Sequence, residues 1–134
     1  MTVAATNREL MTGYVDALIA RGDFAQYFAD DVTFDVAWTG PSTKGRDSVE
    51  STIRYLHEQA FDANVELKGM LVEGDSAALE LVFAAKHIGE FNGVAGSGKS
   101  IGVPYMAQYD IAAGRITALR IYISVDEVMR QIQS

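Results

Sequence analysis

The chain contains no cysteine. Disulfides, thiolate chemistry and cysteine metal sites are therefore excluded. Basic residues are scarce: 11 Lys and Arg stand against 18 Asp and Glu, a net charge of −7. A nucleic-acid backbone or an anionic membrane surface needs a basic face, so neither is expected as a partner. No uninterrupted apolar run approaches the ~18 residues of a membrane helix. The opening "MTVAATNREL" lacks a basic end followed by an apolar run, so no signal peptide is read and a cytoplasmic protein is expected. Repeats, linkers and low-complexity stretches are also missing. What is present is 134 residues, 49% hydrophobic and 22% charged. That is one domain, 1–134, able to bury roughly two-thirds of its unfolded surface.

Hydrophobic spacing orders the chain. In "TNRELMTGYVDALIARGD", Leu10, Met11, Tyr14, Val15, Leu18 and Ile19 recur on one helical face. Thr6 and Glu9 read as a capping box, Gly22 as a stop, and Asp23 as the cap of a short second helix through Phe28. "DDVTFDVAW" reads as a strand and "TGPSTKG" as a loop. "RDSVESTIRYLHEQAF" is a third helix, capped by Asp47 or Ser48, with Val49, Ile53, Leu56 and Ala60 inward. Four strands then follow within residues 64–124, joined by short links, and a short helix ends the chain. Consecutive strands with short links imply an antiparallel meander. Helices first and sheet later make the class α+β, with helices covering one face of a curved sheet.

"FNGVAGSGKS", residues 91–100, completes the phosphate-loop pattern G-x-x-x-x-G-K-[ST]. Such a loop works only where a parallel strand feeds a glycine turn that opens a helix. Here "IGVPYMAQYDI" follows, β-branched and aromatic, with Gly102 and Pro104 early. That is a strand, so the glycines are read as turning a hairpin and no nucleotide is expected.

Several stretches resemble the nuclear transport factor 2-like superfamily, which includes SnoaL-like polyketide cyclases and ketosteroid isomerase. "YVDALIARGDFAQYFADDVTFD", residues 14–35, is similar to the opening of ketosteroid isomerase and SnoaL-like proteins. "KHIGEFNG…SGKSI", 86–101, resembles the H-x-G-x-F-x-G…G-K hairpin of SnoaL-like ester cyclases, and "AAGRITALRIYIS" their final strand. The resemblance implies a cone-shaped, cystatin-like fold with N-terminal helices packed on a curved antiparallel sheet. It also implies an apolar pocket between helices and sheet, and a homodimer. Tyr14 falls where the isomerase has its oxyanion-hole tyrosine, and Tyr55 matches a second, supporting tyrosine. The family's acids are not matched: the isomerase base falls on Val36 beside Asp35, its second acid on Met106, and the SnoaL-like terminal aspartate on Ser124. By the same resemblance Met106 and Gln108 look into the pocket, while Tyr105, Tyr109 and Ile111 face outward as a dimer surface.

The remaining candidates are read from chemistry. Histidine is the natural acid–base at neutral pH. His57, one turn after Ile53, is either a partly exposed helix residue or a pocket base. His87 is either a structural residue at a hairpin end or a pocket group. Trp38 ends the first strand and is either core or pocket wall. Asp35 is either on a solvated strand face or a base, and Arg120 and Tyr122 are either pocket or interface. No ligand spacing suggests a metal, and no cofactor is expected. The implied function is binding of a hydrophobic carbonyl or polycyclic metabolite, with Tyr14, Asp35 and His57 in isomerisation, dehydration or cyclisation. Trp38, Tyr55, His87, Met106, Gln108 and Tyr122 would line the site. The alternative is a non-catalytic binding or dimerisation module on the same fold.

Overall fold

The computed structural model describes residues 3–37, 39 and 42–134, with side chains from Thr6 onward. Helix α1 (Val3–Ile19) leads through a 3₁₀ turn (Phe24–Tyr27) to β1 (Phe28–Val36) and a two-residue strand β2 (Thr43–Lys44). Helix α2 (Arg46–Arg54) widens without a break into a π-helical turn (Tyr55–Ala60). The long strands β3 (Phe61–Glu73), β4 (Ser76–His87), β5 (Ser100–Ala112) and β6 (Arg115–Tyr122) follow, and α3 (Val125–Gln133) ends the chain. They form one six-stranded sheet in the order β2-β1-β6-β5-β4-β3. β3 to β6 are the expected antiparallel meander, and β1 pairs with β6 in parallel. The α+β class and the cone architecture hold.

The helices cover the face of the sheet on which apolar residues alternate. In β4 these are Ala77, Leu79, Leu81, Phe83, Ala85 and His87, every one buried. Register carries that face into β5, because Leu81 lies opposite Tyr105, Leu79 opposite Ala107 and Ala77 opposite Tyr109. Directly opposed residues share a face of the sheet. Tyr105, Tyr109 and Ile111 therefore point inward and Met106 and Gln108 outward, the reverse of the expected facing. The inward row of β5 reads Ile101, Val103, Tyr105, Ala107, Tyr109, Ile111; the outward row includes Gly102, Pro104, Gln108 and Asp110. Period-two hydrophobicity alone separates the two rows correctly.

In β6 the alternation slips. Asp110 is opposite Ala118, but Ile111 is opposite Ile116, so Thr117 is an extra residue, a β-bulge. Beyond it Leu119 and Ile121 face the core. Arg120 and Tyr122 face out, and Arg120 holds both oxygens of Asp110 at 2.9 and 3.0 Å.

Helix ends differ in detail from expectation. α1 begins at Val3, upstream of Thr6, so Thr6 is not its cap. Its stop is made by Arg21, not Gly22: Arg21 takes φ of 58° while Gly22 N–H closes onto the Ala17 carbonyl at 2.8 Å. Asp23 precedes the 3₁₀ turn but makes no side-chain cap. Gly45, rather than Asp47 or Ser48, occupies the N-cap of α2. Ile19 is 45% exposed, although Met11, Tyr14, Val15 and Leu18 are buried as the stripe requires.

The phosphate-loop pattern lies in the loop between β4 and β5, and a strand, not a helix, opens at Ser100 directly after Lys99. Two of its neighbouring glycines have steric reasons. A Cβ on Gly89 would lie 2.3 Å from the Gln59 carbonyl oxygen, and one on Gly96 would lie 2.4 Å from that of Ile88. The loop thus folds back against the π-helical turn, where Ile88 and Gly89 N–H both reach the Ala60 carbonyl at 3.0 Å. His87 pins its other end. Ser97 N–H donates to His87 Nδ1 at 3.1 Å, so Nδ1 is the acceptor nitrogen and Nε2 carries the proton. That Nε2 is buried without a partner among the described residues.

Candidate functional site

Between the helices and the inward sheet face lies a cavity of about 120 Å³. α1 contributes Tyr14 and Leu18; β1 contributes Phe34 and Val36; α2 and its π-helical turn contribute Ile53, Leu56 and His57. The sheet adds Phe61, Leu81, Phe83, Tyr105, Tyr109, Leu119 and Ile121. Phe91 from the β4–β5 loop and Val125 and Val128 from α3 complete the wall. The polar groups among these residues are three phenols and one imidazole.

Tyr14 sits on the apolar stripe of α1 and is 2% exposed. Its ring is packed edge-on or tilted against Phe24, Tyr27, Phe28 and Tyr109, with centroids 5.6–6.4 Å away. Aromatic pairs of this geometry each add roughly 0.5–1.5 kcal/mol beyond area burial, so the ring is held firmly. The phenol beside it is Tyr109, at a ring-centroid distance of 5.6 Å. Tyr55, which the resemblance made its supporting tyrosine, donates instead to the Glu90 carbonyl. Burial raises the ionisation of Tyr14, Tyr105 and Tyr109 well above the ordinary phenol range, so all three stay protonated. Tyr105 packs edge-on against Phe83 at 6.4 Å.

His57 enters the cavity wall from the π-helical turn and lies 5.9 Å from the Phe83 ring. Burial is the main reason its pKa falls to about 4; the Arg21 charge lowers it further and Glu58 opposes. The imidazole is therefore neutral at pH 7. Arg21 itself is engaged elsewhere, with Asp62 at 2.5 Å and the Ala63 carbonyl at 2.7 Å.

The other sequence candidates lie apart from this cavity. Asp35 alternates with the inward Phe34 and Val36, stands beside Arg120 in register, and accepts a hydrogen bond from Ser42. Tyr55 is exposed and donates to the Glu90 carbonyl, tying α2 to the β4–β5 loop. His87 is buried behind Phe61, whose ring centroid is 5.2 Å away. Met106, Gln108 and Tyr122 are on the outer face, Met106 44% and Tyr122 39% exposed. Trp38 lies outside the described residues. Ser124, the position read as an aspartate in SnoaL-like proteins, caps α3 by accepting from Glu127 N–H at 3.1 Å. Tyr105, Tyr109 and Phe91 are site residues that sequence reasoning missed. The even apolar alternation of β5 is the signal that finds the first two. Among the described residues no group of three or more His, Asp or Glu is placed to hold a metal, and no helix is long and apolar enough to cross a membrane.

A curved sheet of this topology with an apolar cavity under the helices defines a class, and comparison places the chain within it. Residues 9–132 match the family model for SnoaL-like polyketide cyclases, and the chain belongs to that family. Among solved structures it is similar to a protein assigned as a SnoaL-like polyketide cyclase from Jannaschia sp. CCS1. That match has 19% identity and a TM-score of 0.89, covering 100% of this chain and 96% of the other. A protein assigned as a polyketide cyclase from Xanthomonas campestris pv. campestris gives 20% identity and a TM-score of 0.83, covering 98% and 99%. One assigned as a ketosteroid isomerase from Kribbella flavida gives 20% identity and a TM-score of 0.71, covering 92% and 82%. At these identities the structures establish the fold. No curated protein matches the sequence.

Proposed function

We propose that the protein binds an uncharged, hydrophobic carbonyl compound in this cavity and catalyses proton transfer on it, as in an isomerisation, dehydration or cyclisation. The observation that supports this most is the set of three protonated phenols, Tyr14, Tyr105 and Tyr109, in an otherwise apolar wall. A carbonyl oxygen is an acceptor for such a hydroxyl, and a hydrogen bond there strengthens as negative charge develops on that oxygen. His57 is the group in the wall able to take up a proton. A second reading, a non-catalytic binder, is favoured by the low basicity of His57 and by the lack of any carboxylate in the cavity wall.

Tyr14→Phe removes one polar contact and keeps the ring packing, so it should weaken binding of a simple aryl ketone such as acetophenone by about 1–2 kcal/mol while leaving the fold unchanged. Titration calorimetry on both proteins checks this. An unchanged affinity would end the role of Tyr14. Isotope exchange into the α-carbons of the bound ketone separates the two readings: exchange that disappears in His57→Leu supports catalysis, and no exchange in the parent protein supports the binder.

We also propose a homodimer, through a different face from the one the sequence suggested. Tyr109 and Ile111 are buried in their own subunit's core and Tyr105 lines the cavity, so that row is not free to pair. The outer face instead carries Met106 directly opposite Tyr122, with Pro104 opposite Val82 beside them. Light scattering should give twice the 14.5 kDa chain mass at micromolar concentration, and Met106→Lys with Tyr122→Lys should return it to 14.5 kDa. A parent protein already at the monomer mass would refute the dimer.

A further inference from the structure

The cavity has two polar ends and an aromatic middle. Phe83 stands between them, with the His57 ring 5.9 Å from it and the Tyr105 ring 6.4 Å from it. Tyr109 follows Tyr105 on the same face of β5, with the Tyr14 ring 5.6 Å from it. The Tyr105 and His57 side chains both line the cavity. The phenol end therefore offers protons. The imidazole end, neutral, offers one acceptor nitrogen as well as one N–H.

Charge narrows the occupant further. No Lys or Arg lines the cavity, and Arg21, the cation acting on His57, is held by Asp62 and the Ala63 carbonyl. A carboxylate placed inside would be a buried charge with no counter-ion.

Building on the carbonyl-binding reading above, we infer that the cavity selects an uncharged aromatic compound, with a carbonyl for the tyrosines at one end and a hydroxyl for His57 at the other. The ring stacks within the strip formed by Phe61 and Phe83, whose own rings meet edge-on at 5.1 Å.

The test measures side-chain methyl NMR shifts of Ile53, Leu81, Leu119 and Ile121 against four probes. These are benzene, para-(hydroxymethyl)acetophenone, its carboxylate counterpart para-(hydroxymethyl)benzoate, and para-ethylacetophenone. Benzene and the hydroxymethyl ketone should both shift the cavity methyls, the ketone binding more tightly. The benzoate should bind at least about 100-fold more weakly than the ketone, because its charge would be buried unpaired. para-Ethylacetophenone, which keeps the shape and loses the hydroxyl, should bind about five- to tenfold more weakly than the hydroxymethyl ketone. Tyr105→Phe and His57→Leu should each lower ketone affinity about five- to tenfold, one neutral hydrogen bond apiece, and leave benzene affinity within about twofold. Benzene binding also reports that each variant still folds with its cavity intact. If para-ethylacetophenone or the benzoate binds as tightly as the hydroxymethyl ketone, or if both variants keep full ketone affinity, the uncharged, two-ended selection is overturned while the cavity stands as a binding site. If none of the four probes shifts the cavity methyls, the binding site proposed above fails with it.

Discussion

Lowering the pH from 7 to 4 should remove up to about 3 kcal/mol of folding stability through His57 alone, at 1.36 kcal/mol for each unit by which its pKa is depressed. The direction follows from proton linkage. Unfolded, His57 titrates near its ordinary value of 6.5; folded, at about 4. Between those values the unfolded chain holds a proton that the folded chain does not, so stability rises with pH across the window. The contribution is complete above pH 6.5, is lost as the pH falls through the window, and changes no further below about 4. Other shifted groups act lower. Glu127, held at about 2 by Arg130 and Gln131, and Asp110, held down by Arg120, lose their contributions only as the pH falls through and below the ordinary carboxylate range. Urea midpoints measured from pH 7 to pH 4 should therefore fall in the parent protein and stay nearly level in His57→Leu. Equal slopes in the two proteins would mean that the imidazole is not buried against the cavity. Ligand affinity should stay level from pH 8 down to about pH 5, because folded His57 is neutral throughout that range.

Gly89→Ala should destabilise the protein by about 3 kcal/mol, the upper part of the range for inserting one carbon into a packed position. The backbone at Gly89 is not in the left-handed region, so conformation is not the obstacle. The obstacle is the Gln59 carbonyl oxygen 2.3 Å from the new methyl, with Gln59 C at 3.2 Å and Ala60 Cα at 3.5 Å. All three are backbone atoms of the π-helical turn and cannot rotate aside as a side-chain tip would. Relief requires the loop to lift, and lifting it breaks the bonds from Ile88 and Gly89 N–H to the Ala60 carbonyl. Phe91 moves with the loop, loosening its edge contact with Phe61 at 5.2 Å and widening the cavity. The variant should therefore lose both stability and affinity for benzene. Gly102→Ala is the control. Nothing lies within 4 Å of its added methyl, so it should be neutral or stabilising by up to about 1 kcal/mol, since glycine inside a strand is entropically costly. Chemical denaturation of the two variants side by side decides the matter. Equal stability would mean that the loop does not press on the turn.

Much of this architecture was legible along the chain because its cause is local. The inward stripe of α1, the alternation of β4 and the turn glycines before β5 each follow from spacing over a few residues. The reading of Lys99 and Ser100 as a strand start rather than a phosphate site had the same basis, since the residues after them repeat every second position. What needed the tertiary structure was contact between distant segments. The Tyr14 ring meets that of Tyr109, 95 positions away, because sheet register turns the tyrosine row of β5 under α1. The family resemblance had pointed that row outward, and only pairing against the apolar face of β4 decided it. One extra residue, Thr117, sets which of Arg120 and Ile121 meets the core, and a bulge leaves no mark in hydrophobic spacing. Asp35 and His57 were equal candidates in sequence. The strand turned the carboxylate to Arg120 and Ser42, and the helix carried the imidazole to Phe83, because a side chain's face is fixed by what its whole element packs against.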